Sequence, residues 1–113
     1  MCSETVLNKI TNEVVNAVRT SLGDKLDKVI LYGSYARGDH DDESDIDIMV
    51  LADISREDCW KEYKKISKST GWLDLEYDVL VSIHVTDCAT FYKYINDLPF
   101  YMNVLKDGVE LSA

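Results

Sequence analysis

Hydrophobic positions along the first half of the chain switch from helical to strand spacing. Ser3 can cap a helix whose apolar residues recur every three or four positions until Gly23. The β-rich run from Lys28 to Tyr32 predicts a first strand that ends at a glycine, and a brief turn follows it. The polar residues 38–44 predict a loop, and Asp45 to Leu51 predicts a second strand.

The second half of the chain predicts one further strand among three helices. A helix begins at Ser55, with Asp58 as its capping-box partner, and Gly71 follows it as a breaker. The alternating residues from Leu75 to Val85 predict the longest strand. Two last helices follow, one capped by Thr86 or Asp87 and running through Tyr94, and one from about Leu98 to Lys106.

These elements predict the fold class. Helices flank a small mixed sheet of about three to four strands, which is an α/β (α+β) arrangement. The length of 113 residues fits a single domain over residues 1–113. The 46% hydrophobic and 29% charged residues are typical of a globular protein.

Charge and cysteine usage limit the partners and the compartment. A net charge of -9 repels nucleic-acid backbones, so we expect no direct nucleic-acid binding. Cys2, Cys59 and Cys88 are odd in number and widely spaced, which predicts free thiols rather than disulfides or a zinc site. The chain shows no signal peptide at its start and no apolar run of membrane-spanning length. We therefore expect a cytoplasmic protein without a membrane partner.

The second predicted strand carries two carboxylates on one face. Asp45 and Asp47 are two residues apart, so both side chains point to the same side of a strand. The residues between and beyond them, Ile46, Ile48 and Val50, point to the other side and can pack into a core. Two carboxylates this close repel each other unless a cation lies between them, and such oxygen ligands suit Mg²⁺. A solvated edge strand is the alternative.

A third carboxylate is expected from the next strand. If Leu75 to Val85 is one strand beside the second, Asp78 shares the polar face and can converge on Asp45 and Asp47. Three carboxylates would match a two-metal site, and Asp78 could also act as base for an acceptor hydroxyl. Glu76 is the rival, because it lies on the same face about 7 Å further along the strand.

The turn after the first strand has features of a phosphate site. Gly33 lets the backbone approach a ligand closely, and Ser34 offers a hydroxyl and an N–H group where a short helix begins. Arg37 is the nearest basic residue, and its fork of donors suits phosphate oxygens. The alternatives are an ordinary strand-to-helix turn and an arginine paired with the acidic loop Asp39 to Glu43.

Together these residues resemble the signature of the DNA polymerase β-like nucleotidyltransferase superfamily. Gly33-Ser34 is followed, after the ten-residue spacer Tyr35 to Ser44, by Asp45-Ile46-Asp47. The Ala-Arg-Gly after the Gly-Ser pair, the serine before Asp45 and the end of the chain from Leu98 to Val109 are similar to the minimal nucleotidyltransferase (MNT) branch. The resemblance covers essentially the whole chain.

The resemblance implies a fold and a set of roles. The fold is a short mixed sheet with helices on one side and the Gly-Ser turn at one end. Gly33 and Ser34 would hold the triphosphate of ATP, as would Arg37 from its place in the motif. Asp45 and Asp47 would hold Mg²⁺, and Asp78 would complete the carboxylate triad.

It also implies a biological role. Proteins of this branch resemble the antitoxin of HEPN/MNT toxin–antitoxin pairs, which transfers AMP to a tyrosine of a small helical HEPN ribonuclease. Two alternatives stay open: a binding module that neutralises a helical partner by contact alone, and transfer to a small molecule such as an antibiotic. The sequence leaves open whether the protein forms homo- or hetero-oligomers.

Overall fold

The computed structural model describes residues 3–112 and forms a four-stranded sheet with six helices. The helices and strands alternate along most of this range, and a 3₁₀ turn, Gly23–Lys25, joins the first helix to the first strand. In chain order the elements are α1 (Glu4–Leu22), β1 (Leu26–Tyr32), α2 (Ser34–Arg37), β2 (Ile46–Ala52), α3 (Asp58–Thr70), α4 (Trp72–Tyr77), β3 (Val81–Asp87), α5 (Cys88–Tyr94), α6 (Pro99–Asp107) and β4 (Val109–Ser112).

The sheet is mixed, with the strand order β3-β2-β1-β4. β1 is antiparallel to both of its neighbours, and β2 and β3 run parallel. In this register Asp47 lies beside Tyr32 on one side and Ser82 on the other. The predicted α/β class with a small mixed sheet is therefore confirmed.

Helices cover both faces of the sheet. On one face, α1, α3 and α4 pack against alternate strand residues, among them Ile46, Ile48 and Val50. On the opposite face, Phe91 of α5 and Val104 of α6 pack against a smaller group. That group is Ile30, Tyr32, Met49 and Leu51. The arrangement implied by the resemblance, with helices on one side only, is wrong. The second face also carries apolar side chains, and α5 and α6 bury them.

The first half of the chain follows its predicted boundaries closely. Ser3 accepts a hydrogen bond from the N–H of Val6 and caps α1, whose C-cap is Gly23. The β1 and β2 strands begin and end within one or two residues of the predicted positions. Asp87, one of the two predicted caps, accepts a hydrogen bond from the N–H of Thr90 at 2.9 Å and starts α5.

The predicted strand from Leu75 to Val85 is wrong in its first half. Residues 72–77 form the short helix α4, in which Leu73 is buried and Tyr77, one turn later, packs against the same core. Leu75 is 89% exposed, so its apolar character reflects no core position. The strand β3 starts only at Val81. Alternation across residues 75–79 imitated a strand because a helix of two turns also places polar residues between apolar ones.

Three smaller predictions also need correction. The helix α3 begins at Asp58 rather than Ser55, and Glu57 at its N-cap makes no side-chain capping bond. Trp60 of this helix is 64% exposed. Gly71 does not end the helical region, since α4 follows it directly. The final strand β4 was not predicted, because four residues carry too little pattern.

The cysteines of the described range agree with the free thiols predicted from the sequence. Cys59 and Cys88 are free thiols, and Cys2 lies outside the described residues. Among residues 3–112 there is no helix with the length and apolar character needed to span a membrane.

Candidate functional site

The site is built around the glycine that ends β1. Gly33 has φ 76° and ψ -157°, a conformation open in practice to glycine alone. The carboxylate oxygen Oδ2 of Asp47 lies so close to it that a Cβ atom added at Gly33 would overlap this oxygen. Glycine is thus required here twice, by backbone conformation and by the carboxylate packed against it.

The two predicted carboxylates lie at the start of β2, Asp45 just before the strand and Asp47 within it. Ile46 and Ile48 are fully buried on the α1 and α3 side, so Asp47 between them points to the side of α5 and α6. Asp45 is exposed just before β2 begins, and Asp47 is partly buried beside Tyr32. The pairing of these two carboxylates at one cation site therefore stays a prediction.

The environment of Asp47 is unfavourable for its negative charge. Burial, and then the charge of Asp45, raise the pKa of the Asp47 carboxyl above its ordinary value, and His84 and Arg37 oppose the rise more weakly. A site in which the ionisation of Asp47 is disfavoured gains from a bound cation. This cost identifies Asp47 as a functional candidate rather than a solvated surface acid.

Tyr32 is a neighbour of Asp47 that sequence reasoning missed. It is buried at the end of β1, and its ring makes an edge-to-face contact with Phe100 at 5.6 Å between centroids. Burial, and then the charge of Asp47, raise the pKa of Tyr32 to about 12, so the hydroxyl stays protonated and adds no charge. Its position directly before Gly33 was the available signal, but a tyrosine at a strand end reads as packing.

Arg37 lies at the end of α2 with its side chain half exposed. Its Nε atom is 3.2 Å from Oδ2 of Asp39, which is the acidic-loop pairing considered as the alternative to phosphate contact. An exposed ion pair of this kind is worth little and can be exchanged for a phosphate. The phosphate contact of Arg37 therefore stays a prediction, as do those of Gly33 and Ser34.

Asp78 is not on β3, which corrects its predicted position on a strand face. It caps α4 in the left-handed conformation, with φ 51° and ψ 51°. The β3 residue that pairs with Asp47 is Ser82, which is not acidic. Asp78 nevertheless lines a cavity of about 170 Å³ together with Asp45, whereas its rival Glu76 lies on α4 and does not line this cavity.

No three carboxylate, cysteine or histidine side chains within residues 3–112 are arranged to hold one metal ion together. The role of Asp78 as a third ligand is thus a prediction without geometric support. Asp45 and Asp47 fit a divalent cation better. They supply hard oxygen ligands on one face, and Asp47 is fixed against Gly33. Mg²⁺ commonly binds to one or two carboxylates and completes its shell with water and phosphate oxygens.

Two further aromatic rings lie near the site. Tyr35 is 7% exposed and stacks on His40 with ring centroids 4.1 Å apart, so it is a packed residue rather than a surface for a base. His84 is exposed on β3, with its ring centroid 6.3 Å from that of Tyr32. It lies at the edge of the site, as its place on the polar face of β3 suggested.

Comparison with known proteins identifies the class to which this fold and site belong. The nucleotidyltransferase domain family matches residues 12–110 of the chain. A Methanocaldococcus jannaschii protein assigned as a protein adenylyltransferase is 46% identical over 103 residues, which cover 91% of this chain and 96% of that protein. A second protein of that organism with the same assignment is 36% identical over 100 residues, covering 88% and 92%.

Solved structures share the fold at lower identity. A minimal nucleotidyltransferase aligns with a TM-score of 0.64 at 20% identity, over 98% of this chain and 97% of that one. A chain of a toxin–antitoxin crystal structure with AMP-PNP aligns with a TM-score of 0.55 at 22% identity, over 91% and 73%. The chain described here is an enzyme of the nucleotidyl-transferring class. It belongs to the nucleotidyltransferase domain family.

Proposed function

We propose that the protein transfers AMP from ATP to a hydroxyl group of a protein acceptor, with Mg²⁺ held by Asp45 and Asp47. The observation that carries the proposal is the Asp47 carboxylate, which is packed against the glycine of the Gly-Ser turn and is close enough to Asp45 to be affected by its charge. This contact supports a shared site for the proposed metal ligands and the proposed phosphate-binding backbone. The carboxylates of Asp45 and Asp47 would hold the cation, and the cation would stabilise negative charge on the phosphate oxygens.

The remaining residues have roles in binding and proton transfer. Gly33 and Ser34 present backbone N–H groups at the start of α2 to the triphosphate, and Arg37 exchanges Asp39 for a phosphate oxygen. In the reaction, the acceptor oxygen forms a bond to the α-phosphorus, and the bond to the bridging oxygen breaks and releases pyrophosphate. Asp78, which shares a cavity with Asp45, is the proposed base for the acceptor proton.

A protein acceptor is supported by the two relatives assigned as protein adenylyltransferases. An antitoxin role is supported by the shared fold of a toxin–antitoxin chain. By the resemblance stated above, the proposed acceptor is a tyrosine of a HEPN-domain toxin. The free thiols support action in the cytoplasm. The charge of -9 also suits an acceptor protein better than a nucleic acid.

A binding module that neutralises its partner by contact is the second candidate. Exposed apolar side chains on α5, α6 and the residues between them favour it, since such a surface suits a protein partner. They are Tyr92, Tyr94, Leu98, Phe100, Met102 and Leu105. The absence of a third carboxylate on β3 beside Asp47 also weakens, without removing, the case for catalysis. Transfer to a small molecule has no comparable support.

The test is a transfer assay with Mg²⁺ and ATP labelled in turn at the α- and γ-phosphate. The wild type is compared with Asp45→Asn/Asp47→Asn, each with and without the co-expressed helical partner. We expect α-label and no γ-label on the partner, with a loss of about 100-fold or more in the double variant. An Asp78→Asn arm tests the base, for which we expect a loss of about 100-fold.

Two results would contradict the proposed transfer of AMP. If neither label moves while wild type and double variant bind the partner equally, the protein is a binding module. If γ-label moves instead, the enzyme is a kinase and the proposed bond cleavage is wrong. Chelation of the metal serves as a control, because it should abolish transfer without changing the fold.

A further inference from the structure

The strand β3 is an edge of the sheet with a free side. Within residues 3–112 it pairs with β2 alone. The N–H of Ile46 donates to the carbonyl of Leu80 at 2.9 Å, so even-numbered positions of β3 face β2 and odd-numbered positions face outward. In agreement, the N–H of Val81 donates to Oδ1 of Asp74 at 3.3 Å, away from β2. The backbone groups of Ile83 and Val85 therefore face away from the sheet.

A groove follows this free side of β3. It has a volume of about 680 Å³ and is lined by residues 80–87 of the strand region. Trp60 and Tyr63 of α3 form one wall, and Tyr101 of α6 lies across from them. The two α3 rings stack with centroids 5.2 Å apart, yet Trp60 remains 64% exposed. We call this feature the β3 groove.

We propose that the β3 groove binds an extended segment of the acceptor protein as an added strand and so presents the acceptor hydroxyl to the site. The proposal rests on the proposed function for its acceptor, and it adds how that acceptor is held. Outward backbone groups on an edge strand are a template for a further strand. A helix cannot use them, because its own backbone groups are already bonded internally.

The register of the sheet connects the groove to the site. Ser82 of β3 pairs with Asp47 of β2, so a strand docked on β3 lies two strand spacings, about 10 Å, from Asp47. Alternate side chains of that strand point to the face where Asp45 and Asp47 lie. A tyrosine beside Ser82 can extend over this small residue toward the carboxylates, while its neighbours contact Trp60 on the other face.

Charge selects one end of the docked segment. The cavity that adjoins the Leu80 end of β3 is lined by acidic side chains. They are Asp42, Glu43, Asp45 and Asp78. A basic residue next to the acceptor hydroxyl complements this end, whereas the stacked rings of Trp60 and Tyr63 favour an apolar residue further along. The occupant is therefore an extended, partly apolar segment with a hydroxyl residue near a lysine or arginine.

The experiment uses the full chain and dye-labelled ten-residue peptides without ATP. Each peptide has a central tyrosine, alternating valine and threonine, and lysines at one end or the other. Binding is measured by fluorescence anisotropy for wild type, Trp60→Ala and Trp72→Ala. Both tryptophans are exposed, at 64% and 48%, but Trp72 lies outside the β3 groove. We expect Trp60→Ala to weaken binding about tenfold or more and Trp72→Ala to change it less than about twofold.

Backbone methylation separates strand addition from other modes of contact. Two series of peptides are methylated on the backbone nitrogen at every second residue. In one series the methyl groups replace the N–H groups that would face β3, and in the other they replace the N–H groups that would face away from it. We expect one methylated series to lose binding and the other to retain it. Equal binding by both series would overturn the proposal, as would equal effects of the two tryptophan variants. No saturable binding up to about 1 mM would do the same.

Further arms distinguish this proposal from the transfer reaction and from self-association. If a peptide binds as expected but takes no α-label with ATP and Mg²⁺, strand docking stands and transfer to this class of acceptor falls. If wild type and Trp60→Ala label it equally, transfer stands and docking is overturned. Sedimentation without peptide tests the second occupant: a dimer lost in Trp60→Ala would show that a second copy fills the β3 groove, and it would overturn the choice made here.

Discussion

Gly33 and Asp47 depend on each other more closely than on any other residue of the site. The glycine has a backbone conformation that other residues avoid, and this leaves the space that the Oδ2 atom of Asp47 occupies. The carboxylate is in turn held against the turn that is predicted to bind phosphate. A metal ligand positioned by a backbone contact needs no flexible loop to bring it to the substrate.

A substitution at Gly33 tests this dependence. Gly33→Ala should destabilise the fold by about 1–3 kcal/mol and reduce transfer by about 100-fold, because the new methyl group displaces the Asp47 carboxylate. Gly38→Ala is the matched control: its φ of 84° is also positive, but a Cβ there meets no atom within 4 Å. It should cost about 1–2 kcal/mol and leave transfer largely unchanged. Equal losses of activity would show that turn strain alone matters.

Residues of this site differ in how well the sequence predicts them. Asp45 and Asp47 follow from strand alternation, which places both on one face opposite three buried aliphatic residues. Asp78 does not, because a left-handed residue after a helix changes the direction of the chain and breaks any face assignment. Tyr32 lies beside Asp47 through antiparallel pairing of β1 with β2, which a single sequence does not reveal.

At the scale of elements, the cap that joins β3 to α5 connects the β3 groove to the core. Asp87 is 5% exposed and accepts a hydrogen bond from the N–H of Thr90 at 2.9 Å. This bond begins the helix that carries Phe91, a fully buried residue of the second face. The position of α5 on the sheet therefore depends on one buried carboxylate.

Removing this cap should weaken the fold. Asp87→Ala should lower the free energy of unfolding by about 1–2 kcal/mol, since an N–H of α5 loses its acceptor. Asp87→Asn keeps an acceptor oxygen and should lose less. Urea unfolding measures both, with Mg²⁺-dependent transfer measured in parallel. The capping account would be contradicted if the alanine and asparagine variants were equally stable.

Helices with a clear start signal and a clear period were predicted better than the helix that lacks both. The helix α1 has both Ser3 and an apolar stripe, and its bounds follow from them. The helix α4 has no side-chain cap and contains the highly exposed Leu75, so its last three residues resembled the start of a strand. The edge strand β4 is too short to show alternation and forms only through pairing with β1.

At the scale of the whole molecule, the charge of -9 should make stability depend on salt. Like charges repel in the compact state, and monovalent salt screens them. We expect the melting temperature to rise between low salt and about 0.15 M potassium chloride, where the Debye length falls to about 8 Å. A melting temperature that falls over this range would show that favourable ion pairs outweigh the repulsion.

The ionised carboxylate of Asp47 destabilises the metal-free fold, but the same ionised form is needed to bind the proposed cation. Its pKa is raised, chiefly by burial, so the folded protein holds the proton more tightly than the unfolded chain does. Stability without metal therefore falls as pH rises from the ordinary value through the raised one, where the folded state alone would keep the proton. At neutral pH the ionised side chain is a cost to the metal-free fold that a bound cation can relieve.

The most direct measurement compares wild type and Asp47→Asn at neutral pH, in thermal unfolding and α-label transfer, with and without Mg²⁺ at constant ionic strength. The variant should melt at or above the wild-type temperature without metal, because it lacks the unfavourable charge. Mg²⁺ should stabilise the wild type by linked binding and the variant much less. Transfer should fall by about 100-fold or more. A variant that keeps both wild-type transfer and wild-type stabilisation by Mg²⁺ would contradict the assignment of Asp47 as a metal ligand.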